Sequence, residues 1–390
     1  MAQDRRARVA VAALFLTNGA IFANLLPRYP EIKADLHLSN AVYGAAIAAF
    51  SGGALVAGLA AAALIRRFHS SRVAVVGTIG IATFVVVASL ATSTLVLGAA
   101  LFIAGASDAI TDVAQNVHGL RVQRNYGRSI INSFHAVWAV GAILGGLMGA
   151  GAIAIHMPRA THLAIAGAVF SAVVVIACPY LLRGPDHDDH PSARSAGGGG
   201  AGIAVYATLV ALVVIAIAGA TAEDAGSSWA TLYLRDSLGA TGAVAVFGYV
   251  ALVGFMFIGR MIGDRLVDRF GERAVVRAGG FVTAAGMGAA LAFPSVAGTI
   301  AGFAVAGLGV ATLIPAAMHG ADQLPGMRPG TGLTVVTWLM RVGFFGAPLL
   351  VGVVADATSL RVGLLSVPVA GLLVMALAGA LNARRLPSRS

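Results

Sequence analysis

Residues 95–119 read LVLGAALFIAGASDAITDVAQNVHG, an apolar run broken by two carboxylates, Asp108 and Asp112. It exceeds the about 20 residues that a helix needs to cross roughly 30 Å of hydrocarbon. A strand of a membrane barrel would instead show about 10 residues of alternating polarity. Eleven further runs share this character, at 9–27, 41–65, 73–92, 129–155, 161–182, 203–225, 241–263, 274–293, 295–319, 330–355 and 361–382. Composition agrees. The 390 residues are 58% apolar and only 11% charged, against roughly 25% charged in soluble domains, and the mean hydropathy is +0.87. These values exclude a soluble enzyme, a disordered chain and a nucleic-acid binder, despite the net charge of +10. The 50 glycines imply close helix packing. The single cysteine, Cys178, excludes a disulfide framework and is read as packing.

Positive charge sets orientation. With both termini in the cytoplasm, the inner segments hold 20 of the 26 basic residues, among them Arg5, Arg66, Arg121, Arg265 and Arg384. The outer segments hold five, Arg28, Lys33, Arg159, Arg235 and Arg361, and Arg341 lies within a span. The basic balance thus needs no nucleic-acid partner. The one long polar stretch, RGPDHDDHPSARSAGGGGAG at 183–202, divides the chain into halves at 1–182 and 203–390. Its Asp186, His187, Asp188, Asp189 and His190 could chelate a divalent ion, but the Gly, Ser and Pro content predicts a solvated linker. Arg66-Arg67-Phe68-His69-Ser70-Ser71-Arg72 and Asp268-Arg269-Phe270-Gly271-Glu272-Arg273 form a faint internal repeat, with the phenylalanines 202 positions apart. Duplicated halves around a midplane site are common in secondary transporters.

From Gly263 to Arg273 the chain resembles the loop motif of the major facilitator superfamily, with Asp268, Arg269, Gly271 and Arg273 at the positions of that family's cytoplasmic gate. In the first copy, Arg66 stands where the family carries Asp and His69 where it carries Gly. Two segments resemble a narrower branch. Asp112-Val113-Ala114-Gln115-Asn116 is similar to the acidic-x-x-x-Asn segment of fucose-type permeases, where the acid is associated with proton coupling. Glu223 followed by Trp229, Leu232, Tyr233 and Leu234 looks like a pattern of MosC-like transporters. The sugar permeases also carry an acid on the first helix, where this chain has Asn18 and Asn24. The resemblance implies that the first, fourth, seventh and tenth spans line a central cavity.

An ionisable group inside the membrane is a functional hypothesis by default. On the fourth span Asp108, Asp112, Gln115 and Asn116 fall at i, i+4, i+7 and i+8, on one face. They form either a proton path with substrate contacts or a polar packing seam. Arg341 on the eleventh span, near Trp338, is read as a substrate contact or the counter-ion of a carboxylate, Asp108 or Asp112. Asn18, His135, Trp138, Asp224 and Trp229 are further substrate-contact candidates, and Glu223 a further proton carrier. Adjacent positions cannot share a helix face, so one of Glu223 and Asp224 is expected to face the cavity, with Glu223 favoured by the resemblance. His319 and Asp322 are read as an interface cap. With Lys33 as the sole lysine there is no G-x-x-x-x-G-K-[ST] loop, and no H-E-x-x-H pair occurs. The energy source is therefore expected to be an ion gradient.

The sequence predicts an all-α membrane protein of twelve transmembrane helices in two pseudo-symmetric six-helix bundles. It is expected to be a monomeric, proton-coupled secondary transporter of the inner (plasma) membrane, without cofactor or metal. Its partners would be protons, the lipid bilayer and a small polar, carbohydrate-like solute. The alternative is a proton-driven exporter of drugs or metabolites.

Overall fold

The computed structural model describes residues 2–126, 130–182, 184, 202–327 and 330–381, and all of its regular structure is helical. Twelve helices are long and apolar enough to span a membrane. They are α1 (Gln3–Asp35), α2 (Asn40–Ala57), α3 (Ser70–Ser89), α4 (Thr94–Tyr126), α5 (Ile131–Ala154), α6 (Arg159–Tyr180), α7 (Ile203–Ser237), α8 (Gly242–Phe270), α9 (Glu272–Ala292), α10 (Val296–Asp322), α11 (Thr331–Ala357) and α12 (Leu360–Ala380). The linker at 185–201, with its acidic and histidine cluster, lies outside the described residues. The chain divides into two compact units, residues 1–188 with 240–250, and 189–239 with 251–390.

Several spans depart from a single continuous helix, α2 and α10 among them. The run at 41–65 ends as a membrane-length helix at Ala57, and a separate short helix follows at Ala61–Phe68. Arg66 and Arg67 sit in its last turn, where cations suit the negative end of the helix dipole. The tenth span breaks between Val310 and Leu313. Pro315 explains the break, because a proline ring clashes with the carbonyl four residues earlier, here that of Ala311. Within the spans Thr17, Thr78, Thr111 and Thr283 return their hydroxyls to the carbonyl four residues back, at 2.7–2.9 Å. Polar side chains are thereby satisfied without water.

Small residues set the helix spacing in both units, at repeated positions. A Cβ on Gly105 of α4 would stand 1.9 Å from the Phe50 carbonyl oxygen of α2, and one on Gly307 of α10 would stand 2.1 Å from that of Leu252 on α8. Both members of the pair are displaced by 202 residues. A Cβ on Gly141 would meet the Leu16 oxygen at 2.1 Å, and one on Gly343 would meet the Ile217 oxygen at 2.7 Å. The helices touch backbone to backbone there, as small residues permit.

The same offset governs the polar links. Arg159 Nε donates to the Ser89 carbonyl at 2.7 Å, and Arg361 Nε to that of Leu291 at 2.6 Å. The arginine opening the last helix of each unit thus closes the C-terminal end of the third, a favourable place for a cation. Arg67 lies over the Phe68 ring and Arg269 over Phe270, each at 5.4 Å. His69 and Gly271, the next residues, both have positive φ, 68° and 83°, with ψ 146° and 153°. The repeat faint in sequence is therefore explicit in backbone geometry.

Candidate functional site

In the first unit the polar stripe of α4 is tied to its neighbours through Asn18. A Cβ on Gly19 would lie 2.2 Å from the Trp138 carbonyl oxygen, so α1 and α5 are in contact at this level. The Trp138 indole consequently reaches across, and its Nε1 donates to Asn18 Oδ1 at 2.8 Å. Asn18 Nδ2 then donates to Asp108 Oδ1 at 2.9 Å. An indole N–H can only donate, so it holds the Asn18 carbonyl toward itself and leaves the amide N–H for the carboxylate. Asn18 is buried, whereas Asp108 and Trp138 are partly exposed. Three helices, α1, α4 and α5, thus converge on one carboxyl group.

One turn along α4, Asp112 is gathered by its own helix. Asn116 Nδ2 donates to Asp112 Oδ1 at 3.0 Å and to the Asp112 carbonyl at 2.8 Å, and Gln115 Nε2 approaches Oδ1 at 3.4 Å. Gln115 Oε1 is buried without a hydrogen-bond partner. His135 is exposed and stands edge-on to the Phe15 ring, 5.3 Å between centroids.

The second unit distributes its candidates differently. Arg260 Nη2 of α8 stands 3.7 Å from Glu223 Oε2. Asp224 Oδ1 accepts from Ser228 Oγ at 3.4 Å, and its Oδ2 is buried without a partner. Trp229 is fully buried, while Trp338 is half exposed and Arg341 half-buried. Of the gate-motif residues, Asp268 and Arg269 are exposed. Arg273 Nε and Nη2 donate to the carbonyls of Leu381 and Gly379, at 2.9 and 2.8 Å, which ties the start of α9 to the end of α12.

A model of the Major Facilitator Superfamily matches residues 11–318. The chain belongs to this superfamily. Among curated relatives, the transporter y4wD of Sinorhizobium fredii is 28% identical over 95% of this chain and 97% of its own length. Membrane protein MosC of Rhizobium meliloti is 28% identical over 94% and 88%. The nucleoside transporter NupG superposes with a TM-score of 0.73 at 13% identity, covering 97% of this chain and 99% of its own. A D-xylose-proton symporter gives 0.71 at 14% identity over 96% of each chain. These likenesses establish the major facilitator fold, and with the superfamily match they make the chain a multi-pass membrane transporter rather than an enzyme.

Two buried histidines of this superfamily member carried no signal in its sequence. The Leu182 N–H donates to His118 Nε2 at 3.1 Å, so His118 bears its proton on Nδ1, which faces Ser70 Oγ at 2.8 Å. His162 accepts from Arg28 Nε at Nδ1, 3.3 Å, and its Nε2 faces Asn24 Oδ1 at 2.9 Å. Arg28 also binds Glu31 at 2.7 Å and the Met157 carbonyl at 2.9 Å. His319 pairs with Glu272, 202 residues beyond Ser70, so each unit places a histidine of its fourth helix against the first residue of its third. The 202-residue offset would have found Arg159 with Arg361 and Ser70 with Glu272. A lone buried histidine leaves no such trace.

Proposed function

We propose that the protein is a secondary active transporter that moves a small polar solute of carbohydrate-like character by alternating access, driven by the proton gradient across the inner (plasma) membrane, with both termini cytoplasmic. The observation that carries this reading is the α4 stripe. Two carboxyl groups lie one helical turn apart within the membrane, Asp108 linked through Asn18 to Trp138, and Asp112 held by Asn116 and Gln115. A reversible carrier must be protonated in one half of the cycle and ionised in the other. Amide donors around Asp112 stabilise the anion, while withdrawal from water favours the neutral acid. Opposed influences of this kind allow exchange when the site's hydration changes. The Asn, Gln and Trp groups suit hydroxyl-bearing solutes, and the D-xylose-proton symporter among the structural neighbours supports coupling of this kind.

Asp112 is the proposed principal carrier, with Asp108 as its relay partner. Asp112→Asn keeps the shape but cannot exchange a proton. In proteoliposomes it is expected to abolish proton flux and accumulation against a gradient while sparing counterflow. Wild-type proton flux in this variant would remove Asp112 from the role, and loss of counterflow as well would make it a substrate ligand.

A further inference from the structure

The adjacent acids Glu223 and Asp224 of α7 lie in unlike surroundings. Glu223 faces Arg260 across 3.7 Å, with side-chain exposures of 18% and 39%. Successive residues point about 100° apart around a helix of 3.6 residues per turn, so Asp224 is turned away from that cation. Its Oδ1 receives only the long 3.4 Å contact from Ser228 Oγ, and its Oδ2 is closed off from solvent with no hydrogen-bond partner. Thr231 Oγ1, two turns on along the same face, is likewise buried and unpartnered.

No neighbouring cation compensates Asp224. Helices α10, α11 and α12 pack on α7, and α8 faces it through Leu252 and Arg260. Their titratable groups are His319 and Asp322 on α10, Arg341 and Asp356 on α11, Arg361 on α12, which is turned to the Leu291 and Ala292 carbonyls, and Arg260, Asp264, Arg265, Asp268 and Arg269 on α8 after Val250, of which Arg260 is turned to Glu223. On α7 itself these groups are Tyr206, Glu223, Tyr233, Arg235 and Asp236. Among the described residues none forms an ion pair with Asp224, and the neighbouring position in the chain is a second acid, Glu223. An ionised carboxylate left without a partner in such a place costs more than the hydrogen bonds that a neutral acid forgoes there. The magnitudes favour the neutral form.

We propose that Asp224 is a proton-binding site of the second unit, occupied in this conformation, with the proton on Oδ2, and distinct from the Asp108–Asp112 stripe of the first. Hydration of that face of α7 breaks the Oδ2–H bond, and the proton leaves to water as hydronium. The occupancy of Asp224 holds whether or not Asp112 is the coupling carrier, so the two readings fail separately.

Infrared spectroscopy of the purified full-length protein tests this without a substrate. At pH 7 the wild type is expected to show the deuterium-sensitive carbonyl stretch of a protonated carboxyl group. Asp224→Asn should remove that band and Glu223→Gln should leave it. Ser228→Ala, which retains both acids, should shift its frequency, and serves if Asp224→Asn does not fold. A wild type without the band, a band that survives Asp224→Asn, or one indifferent to Ser228→Ala overturns the assignment.

Discussion

His69 occupies the turn between the short helix Ala61–Phe68 and α3 with φ 68° and ψ 146°. Its counterpart Gly271, 202 residues later, takes φ 83° and ψ 153°. The surrounding hydrogen bonds match as well. The His69 N–H bonds to the Ile65 oxygen at 2.8 Å and its oxygen accepts from Val73 at 3.1 Å, while Gly271 uses Val267 at 2.7 Å and Val275 at 3.2 Å. The turn is imposed by the helices on either side, and only one unit has the residue that adopts it without strain. A side chain held near this region costs about 1–3 kcal/mol. Glycine loses roughly 0.5–1 kcal/mol more backbone entropy on folding. His69 makes no side-chain cap to α3, so little else is forfeited. His69→Gly should therefore stabilise the protein by about 1 kcal/mol, a rise of roughly 2–4 °C in Tm for a unit of this size. The reverse change, Gly271→His, should lower Tm by at least as much. Thermal unfolding of both variants in detergent, at one scan rate because such unfolding is often irreversible, measures the pair. A His69→Gly protein that melts at or below the wild-type temperature would refute the claim of strain.

Close helix contact gives a second expectation. Gly105→Leu and Gly307→Leu must push α4 from α2 and α10 from α8, since even a Cβ would stand 1.9 and 2.1 Å from a carbonyl oxygen. Both should sharply reduce the yield of monodisperse protein by size-exclusion chromatography, while Gly98→Leu, with open space around its Cβ position, should not. Trp138→Phe removes the donor to Asn18 Oδ1 and leaves a buried acceptor unmade, a loss of about 1–3 kcal/mol. Its Tm should fall, and transport should weaken further as Asn18 loses the orientation that directs its amide to Asp108. Unchanged transport with a lowered Tm would make the indole bond structural only.

Twelve spans were legible because continuous apolar runs have one use in a chain this poor in charge. Polar groups that the membrane isolates, Asn18, Asp108, Asp112 and Asn116, were legible for the same reason, since each breaks such a run. Asp112 and Asn116, four apart on one face, also pair as their spacing allows, but the partners of Asn18 and Asp108 on other helices were not legible. Trp138 and Asn18 are 120 residues apart and meet because Gly19 and Gly141 let α1 and α5 touch, a three-dimensional fact that helical spacing within one span does not encode. For Glu223 and Asp224, periodicity correctly separates two faces, yet which face meets Arg260 depends on how α8 packs on α7. The break in α10 could have been read from Pro315, whereas the end of α2 at Ala57 has no comparable marker. His69 is the instructive case. Its position shows only as a departure from a glycine-bearing motif, and its backbone shows why that motif calls for glycine. Sequence therefore exposes residues that conflict with their immediate surroundings, in polarity or in backbone shape. The structure supplies what resolves the conflict, a partner on another helix for Asp108 and a strained turn for His69.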